Sequence, residues 1–297
     1  MSRRRTAVAW GALGVLLVAV VWEAYKFLGP QDGLVVGAVE GETGSGVMIL
    51  PRTHDRAMPH IWQMIARLFQ STSGGDTPPL GASVATAALT TLGIAAVGWL
   101  IGVTVGMLLG IIMQRWRLAE WGILPWVVVS QTVPLIAFAP VVNAIGNQLN
   151  RGGLPWEQWA SVAVIASYLA FFPVAVGALR GLGSPDGIHL DLMRSYAAGY
   201  WPTLVRLRLP AAVPYLLPAL RLAAANAVVG AVVAEVSIGM RGGIGRMLIQ
   251  LAGQGSSDPS APWGPTFGSI VLGLVAAGSV ALLGLGLKNY RRGEATA

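Results

Sequence analysis

The stretch DLMRSYAAGYWPTLVRLRLP, residues 191–210, decides how this chain is read. It carries Asp191, Arg194, Arg206 and Arg208 and closes on Pro210. Apolar runs flank it: ASVAVIASYLAFFPVAVGAL at 160–179 and AAVPYLLPALRLAAANAVVGAVV at 211–233. Each run has about the 20 apolar residues that a helix needs to cross a bilayer. A polar, proline-ended segment between two such runs is a loop held at a membrane face. It is either a plain interfacial loop or a docking surface for a soluble partner.

The segment has its own pattern. SPDGIHLD, 184–191, is turn-like, and Asp186 or Asp191 can cap a helix start. Leu192, Tyr196, Gly199 or Tyr200, and Thr203 then recur at helical spacing. The spacing predicts a short amphipathic helix near 189–200, with its docking part at Asp191–Gly199. Ala197, Ala198 and Gly199 would let another backbone approach closely, and Pro202 prevents a long uninterrupted helix.

Composition agrees with a membrane setting. The 297 residues are 54% hydrophobic and 11% charged, against roughly 25% charged in soluble domains. There is no Cys, which excludes a disulfide framework, thiolate metal sites and a cysteine nucleophile. The net charge of +7 comes with no basic-aromatic module of the kind that binds nucleic acid.

Six candidate spans follow: 7–28, 84–113, 121–145, 158–179, 211–239 and 266–287. With the N-terminus in the cytoplasm, the inner segments hold Arg3, Arg4, Arg5, Arg115, Arg117, Arg180, Arg194, Arg206, Arg208, Lys288, Arg291 and Arg292. That is the majority of the 20 Lys and Arg, so the positive-inside rule puts both termini in the cytoplasm. Residues 1–28 are expected to be a retained anchor helix rather than a cleaved signal, because VVWEAYKF offers no small-x-small cleavage site. Residues 29–83 form an outer segment, expected to be irregular through GLVVGAVEGETGSGVMILP and helical at MPHIWQMIARLFQ, with Ile61, Trp62, Ile65, Leu68 and Phe69 on one face. Residues 84–290 are expected to form the transport domain.

Catalytic machinery is hard to find. His54, His60 and His189 make no metal-ligand pair on one helix. Neither Lys26 nor Lys288 lies in a phosphate-binding G-x-x-x-x-G-K-[ST] loop, so the chain is expected to be no enzyme and to bind no cofactor itself. Polar groups at membrane depth draw attention instead. Ser130, Gln131, Thr132 and Pro134 interrupt the third span, where they either repair a broken helix or line a path. Asn226 and Glu235 in the fifth span face the same two alternatives, as does Arg221.

The opening segment resembles the cytoplasmic coupling loop of bacterial ABC importer permeases, E-A-A-x-x-x-G, nine residues, then I-x-L-P. Aligned from Leu209-Pro210, Asp191 takes the acidic place, Leu192 and Met193 the two alanines, Ala197 the glycine and Leu207 the isoleucine. The glycine itself is displaced to Gly199. RLAAANAVVGAVVAEVSIGMRGGIGRML, 221–248, and SQTVPLIAFAP, 130–140, resemble the permeases for nitrate, sulfonates, taurine, pyrimidine precursors and riboflavin. The insertion NQLNRGGLPWEQ, 147–158, is unusual for that group.

The resemblance implies an all-α bundle of six transmembrane helices, the type I ABC importer permease fold, in a bacterial plasma membrane. It implies Asp191, Leu192, Met193, Arg194, Ser195, Tyr196, Ala197, Ala198 and Gly199 as the coupling surface. It also implies partners: cytoplasmic ABC ATPase subunits that bind ATP and Mg, a second permease subunit, and an outer substrate-binding protein. An ATP-independent secondary transporter or channel is the alternative. Such proteins often show internal repeats, and none is evident between the halves of this chain.

Overall fold

In lipid, an apolar run has no water to satisfy its peptide groups, so it must bond to itself as helix. The computed structural model, which describes residues 3–36, 47–71 and 77–286, is built this way. Its helices are α1 (Arg3–Leu28), α2 (Ile61–Arg67), α3 (Leu80–Arg115), α4 (Arg117–Ser130), α5 (Leu135–Arg151), α6 (Gln158–Leu182), α7 (Gly187–Ser195), α8 (Tyr200–Thr203), α9 (Leu209–Ile238), α10 (Ile244–Ala252) and α11 (Trp263–Gly286). One π-helical turn, Leu204–Arg208, joins α8 to α9. Five stretches are long and apolar enough to cross a membrane: Ala9–Leu28, Leu80–Arg115, Gln158–Leu182, Tyr200–Ile238 and Trp263–Leu282. The pair α4 and α5, bent by 103° at its break, makes a sixth if counted as one broken span. The expected single run at 121–145 is therefore two helices.

The segment around residue 40 departs from expectation at both ends. Leu34–Val36 and Val47–Leu50 pair as two antiparallel strands, β1 and β2. Both are short runs of Leu, Val, Ile and Met, types that suit a strand better than a coil. GETGSG at 41–46 lies outside the described residues, as do Lys288, Arg291 and Arg292.

Contacts divide the chain into two compact units, Met1–Val84 with Ile249–Thr266, and Ala85–Leu248 with Phe267–Ala297. In the first, the end of α1 is tied to the chain that follows the strands. Lys26 is buried and donates to Asp55 Oδ1 (2.7 Å), Met58 O (2.6 Å) and Thr53 O (3.2 Å). The Lys26 hydrogen bond and its charge hold the Asp55 carboxyl below its usual range. Glu23 accepts from the Ile61 amide at 2.8 Å and lies 2.7 Å from His60 Nδ1. Arg67 donates to Asp258 at 2.5 Å. On α2 it is Met64 that is buried, while Trp62 and Ile65, and Phe69 just beyond the helix, remain exposed. Of the apolar face read from the sequence, Trp62, Ile65 and Phe69 are thus uncovered, while Ile61 and Leu68 are half-buried.

The second unit is organised around α6. Gly98, Gly102, Gly106 and Gly110 recur every four residues along α3 and meet Ala166, Ala170, Val174 and Ala178, spaced likewise on α6. A Cβ at Gly98, Gly102 or Gly110 would stand 2.5, 2.7 or 2.4 Å from the facing alanine Cβ. The two backbones therefore touch, which is how helices gain cohesion in a solvent that offers no hydrophobic drive. Gly177 and Gly181 do the same for α6 against Ala219 and Ala212 of α9.

Candidate functional site

The polar segment between α6 and α9 is built from two short helices. Asp186 is the N-cap residue of α7, extended at φ −60°, ψ 152°, and its carbonyl accepts from the His189 amide at 3.1 Å. No residue of α7 is buried. Ile188 (82% exposed), Leu192 (52%) and Tyr196 (76%) stand four apart on one ridge, and Trp201 (67%) lies just beyond. Asp191 and Arg194 pair at 2.9 Å in the open, a contact that contributes about 0–1 kcal/mol. Ser195 Oγ donates to Leu192 O. The helix thus runs Gly187–Ser195, four residues earlier than the expected Asp191–Gly199. Ala197, Ala198 and Gly199 form the turn after it rather than its centre.

That turn is well defined. Ala197 has φ 52°, the only left-handed non-glycine among the described residues. Its amide donates to Arg194 O at 2.8 Å, and the Ala198 amide donates to Met193 O at 3.0 Å. These are the two bonds of a Schellman helix end, whose left-handed position is usually glycine. The position aligned with the family's glycine therefore has the glycine conformation, although an alanine occupies it. Gly199 has ordinary extended backbone (φ −69°, ψ −178°) and open space where a side chain would go.

A left-handed alanine costs about 1–2 kcal/mol. Ala197→Gly is expected to keep the turn and stabilise it by up to about 1 kcal/mol, since added chain entropy offsets part of the relief. Ala197→Val, β-branched at positive φ, should destabilise the turn. Hydrogen exchange of the Ala198 amide measures both. Equal protection in all three variants would mean the turn carries no strain.

Beyond the turn, Tyr200 fixes the segment to the end of α3. Its hydroxyl lies 3.2 Å from Gln114 Oε1 and its ring lies under the Arg115 guanidinium at 4.7 Å. Arg208 Nη1 donates to Leu182 O at 2.7 Å, joining the π-helical turn to the end of α6.

The break between α4 and α5 is the second candidate region. The amides of Gln131, Thr132 and Val133 bond three residues back, tightening the end of α4. The hydroxyls of Ser130 and Thr132 each donate to a carbonyl three residues back, at 2.8 Å. Gln131 Nε2 lies 3.3 Å from Ser130 Oγ. Pro134 is the N-cap of α5. The Tyr168 hydroxyl donates to Ser130 O, and Asn226 Nδ2 donates to Leu169 O at 3.3 Å. One turn of α6 thus holds the break through Tyr168 and Asn226 of α9 through Leu169. Phe138 and Phe171 flank Tyr168 at centroid distances of 5.2 and 5.9 Å. Ser130 and Thr132 serve the helix end, which is the repair role considered from sequence. Thr132 and Pro134 are exposed, and Ser130 and Gln131 half-buried.

Glu235 lies elsewhere, nine residues past Asn226 and about 13 Å along α9. It is 0% exposed. Its Oε2 accepts from the Gly245 amide at 2.9 Å, and its Oε1 lies 2.8 Å from Thr91 Oγ1. Thr91 Oγ1 in turn accepts from the Ile244 amide at 3.0 Å. The start of α10 is thereby fastened to both α3 and α9. A Cβ on Gly243 would fall 2.2 Å from Glu235 Cδ, so only glycine leaves room. Glu235 is enclosed by this node and lines no open path here. The sequence reading did not include Thr91, and it took the glycines of SIGMRGGIGR, 237–246, only as part of the family resemblance and not as room for a buried acid.

Residues 102–289, more than half of the chain, match a family described as binding-protein-dependent transport system inner membrane component. The formylaminopyrimidine transport permease protein ThiX of Halalkalibacterium halodurans is 33% identical over 174 residues, 57% of this chain and 65% of that protein. A Bacillus subtilis protein, SsuC, named for aliphatic sulfonates transport, is 27% identical over 157 residues, 52% of each chain. The matches thus span about half to two thirds of the length of these curated relatives. A crystal structure of an amino acid ABC transporter with histidines shares the fold at TM-score 0.50 and 18% identity, over 71% of this chain and 94% of that one.

Proposed function

The chain belongs to the family of binding-protein-dependent transport system inner membrane components, and from that premise we propose that it is the permease subunit of an ATP-driven importer. The observation that carries this is the uncovered ridge of α7 and its C-cap residue, Ile188, Leu192 and Tyr196, set at a Schellman turn where the family's glycine belongs. An exposed apolar ridge on a helix between two membrane-crossing segments needs a partner. The partner is an ABC ATPase subunit, which supplies the ATP and Mg that this chain has no loop to hold. A second permease subunit, the same chain or a related one, and an outer substrate-binding protein complete the assembly. Residues 191–199 then face the cytoplasm with both termini, in a bacterial plasma membrane.

The cargo is a small organic or anionic nutrient of the pyrimidine-precursor, riboflavin, sulfonate, taurine or nitrate class, with the likeness to ThiX supporting a pyrimidine precursor. Its path runs past Gln131 and the break, where Tyr168, Phe138 and Asn226 are gathered. The mechanism is alternating access. ATP favours the closed ATPase dimer, and that preference is the free energy that shifts the permease between its two states. The anchorage of Tyr200 on α3 and of Arg208 on α6 is what lets a displacement of α7 reach the spans.

Gly199→Trp tests the docking surface. A Cβ at Gly199 meets nothing within 4 Å, so a side chain there starts clear of this chain. Overpacking a fitted contact costs about 1–3 kcal/mol, about a 5- to 150-fold loss of docking. The variant should insert normally, yet lose copurifying ATPase and substrate-stimulated hydrolysis in proteoliposomes. Wild-type values for both would remove α7 and its turn as the coupling surface. Uptake by this chain without any ATPase would favour the secondary-transporter alternative.

A further inference from the structure

We propose that the groove between α1 and the segment Pro51–Met58 holds one anionic phospholipid. A cavity of about 500 Å³ opens there. Leu17, Val18 and Val21 form its wall on α1, and Ala57 and Met58 form the facing wall. Arg52 also lines it, next to Pro51, whose carbonyl accepts from the Tyr25 hydroxyl at 2.9 Å, while Trp22 donates to Pro59 O at 3.2 Å.

The position of this groove in the span argues for lipid. Ala9–Leu28 is long and apolar enough to cross a membrane, which would put Leu17 near the middle of the span and Tyr25 near its end, about 12 Å further along the axis. Trp and Tyr mark the headgroup level of a bilayer. The groove therefore begins among acyl chains and ends where phosphates lie. Its deep part is aliphatic and its shallow end carries a guanidinium, which matches a phospholipid tail and head in that order.

Charge selects the anionic class. Two exposed arginines, Arg52 and Arg56, lie on the same short segment. Of the carboxylates around the segment, Asp55 is engaged with Lys26 and Glu23 with His60 and the Ile61 amide, while Asp32, next to the Gly33 that touches Arg52, makes no ion pair among the described residues. No ion pair among the described residues takes up either arginine. The buried Lys26, bonded to Thr53 O and Met58 O, holds the segment at a set distance from α1, so the groove exists before the lipid arrives. Guanidinium suits a phosphodiester because it offers paired donors.

The proposal rests on α1 crossing the membrane and not on the transport function, so the two can fail separately. The full-length chain would be purified in mild detergent and titrated with dioleoylphosphatidylglycerol or dioleoylphosphatidylcholine, with bound lipid counted by native mass spectrometry. One phosphatidylglycerol per chain should be retained at least about tenfold better than phosphatidylcholine. Arg52→Ala should weaken it about fivefold, the effect of one cation near a charged headgroup. Val18→Trp should fill the groove and abolish retention, while Val15→Trp, also on exposed α1 but outside the groove, should not. Both Arg52 and Val18 are exposed, so these variants leave the fold intact. No preference between the lipids, or equal loss with Val15→Trp, would overturn the site. Displacement by millimolar inorganic phosphate with Val18→Trp still binding would identify a free-anion site instead. Retention replaced by a chain dimer that Val18→Trp disrupts would identify a second copy as the occupant.

Discussion

Gly102→Leu is expected to leave little folded protein. At this position a Cβ would meet Ala170 Cβ at 2.7 Å, Ser167 O at 2.8 Å and the Phe171 amide nitrogen at 3.1 Å. Two of the three are backbone atoms, which cannot rotate away. The helices α3 and α6 would have to separate along the whole row from Gly98 to Gly110. Overpacking by one or two methylenes costs about 1–3 kcal/mol, and leucine adds four carbons to a contact with no slack. The loss should exceed that range, a large share of a stability of about 5–15 kcal/mol. Membrane-inserted yield and thermal unfolding in detergent measure it. Gly93→Leu is the control, because a Cβ there meets nothing within 4 Å. Equal yields for the two would mean that α3 and α6 do not pack through their glycines.

Glu235→Ala should cost about 3 kcal/mol or more and loosen α10. The substitution removes the bond that the buried Gly245 amide makes. A buried donor left without a partner costs about 1–3 kcal/mol, and the space left by the carboxylate adds a cavity cost. Glu235→Gln should lose about 1 kcal/mol, since its amide oxygen still accepts from Gly245 and its nitrogen can donate to Thr91 Oγ1. Hydrogen exchange at the start of α10 should therefore quicken strongly in the alanine variant and slightly in the glutamine variant. If the two exchange alike, the carboxylate is not what holds the helix. Gly243→Ala, aimed at Glu235 Cδ from 2.2 Å, should resemble the alanine variant at Glu235.

Much of this protein was legible in its residues. The uncharged runs at 84–113 and 158–179 could only be helices in lipid, and both helices extend past those limits by two to four residues at one or both ends. The break at 130–134 was visible as Pro134 beside three polar side chains. The GxxxG spacing at 98, 102, 106 and 110 stood in the sequence too but formed no part of that reading, although glycine every fourth residue calls for a close helix contact. The Leu209-Pro210 end set the register that places Ala197 where the resemblance has glycine, and Ala197 does take the left-handed backbone.

Other features were settled only by packing. Helical spacing from Leu192 to Thr203 could not show that α7 ends at Ser195, because the two Schellman bonds that stop it depend on Ala197 taking a left-handed backbone that local preference disfavours. Nor could it tell which apolar face of α2 would be buried, since Met64 is covered only through tertiary contact. Glu235 is the sharpest case. From the chain alone it could be an interfacial charge or a group lining a path, because both need an acid near the end of a span. Its partners Thr91 and Gly245 stand 144 and 10 residues away. Hydrophobicity along the chain determined that these helices exist and where they cross. Which polar groups are enclosed was decided by the approach of helices distant in sequence, since a hydrogen bond depends on atoms within about 3 Å and not on spacing along a chain.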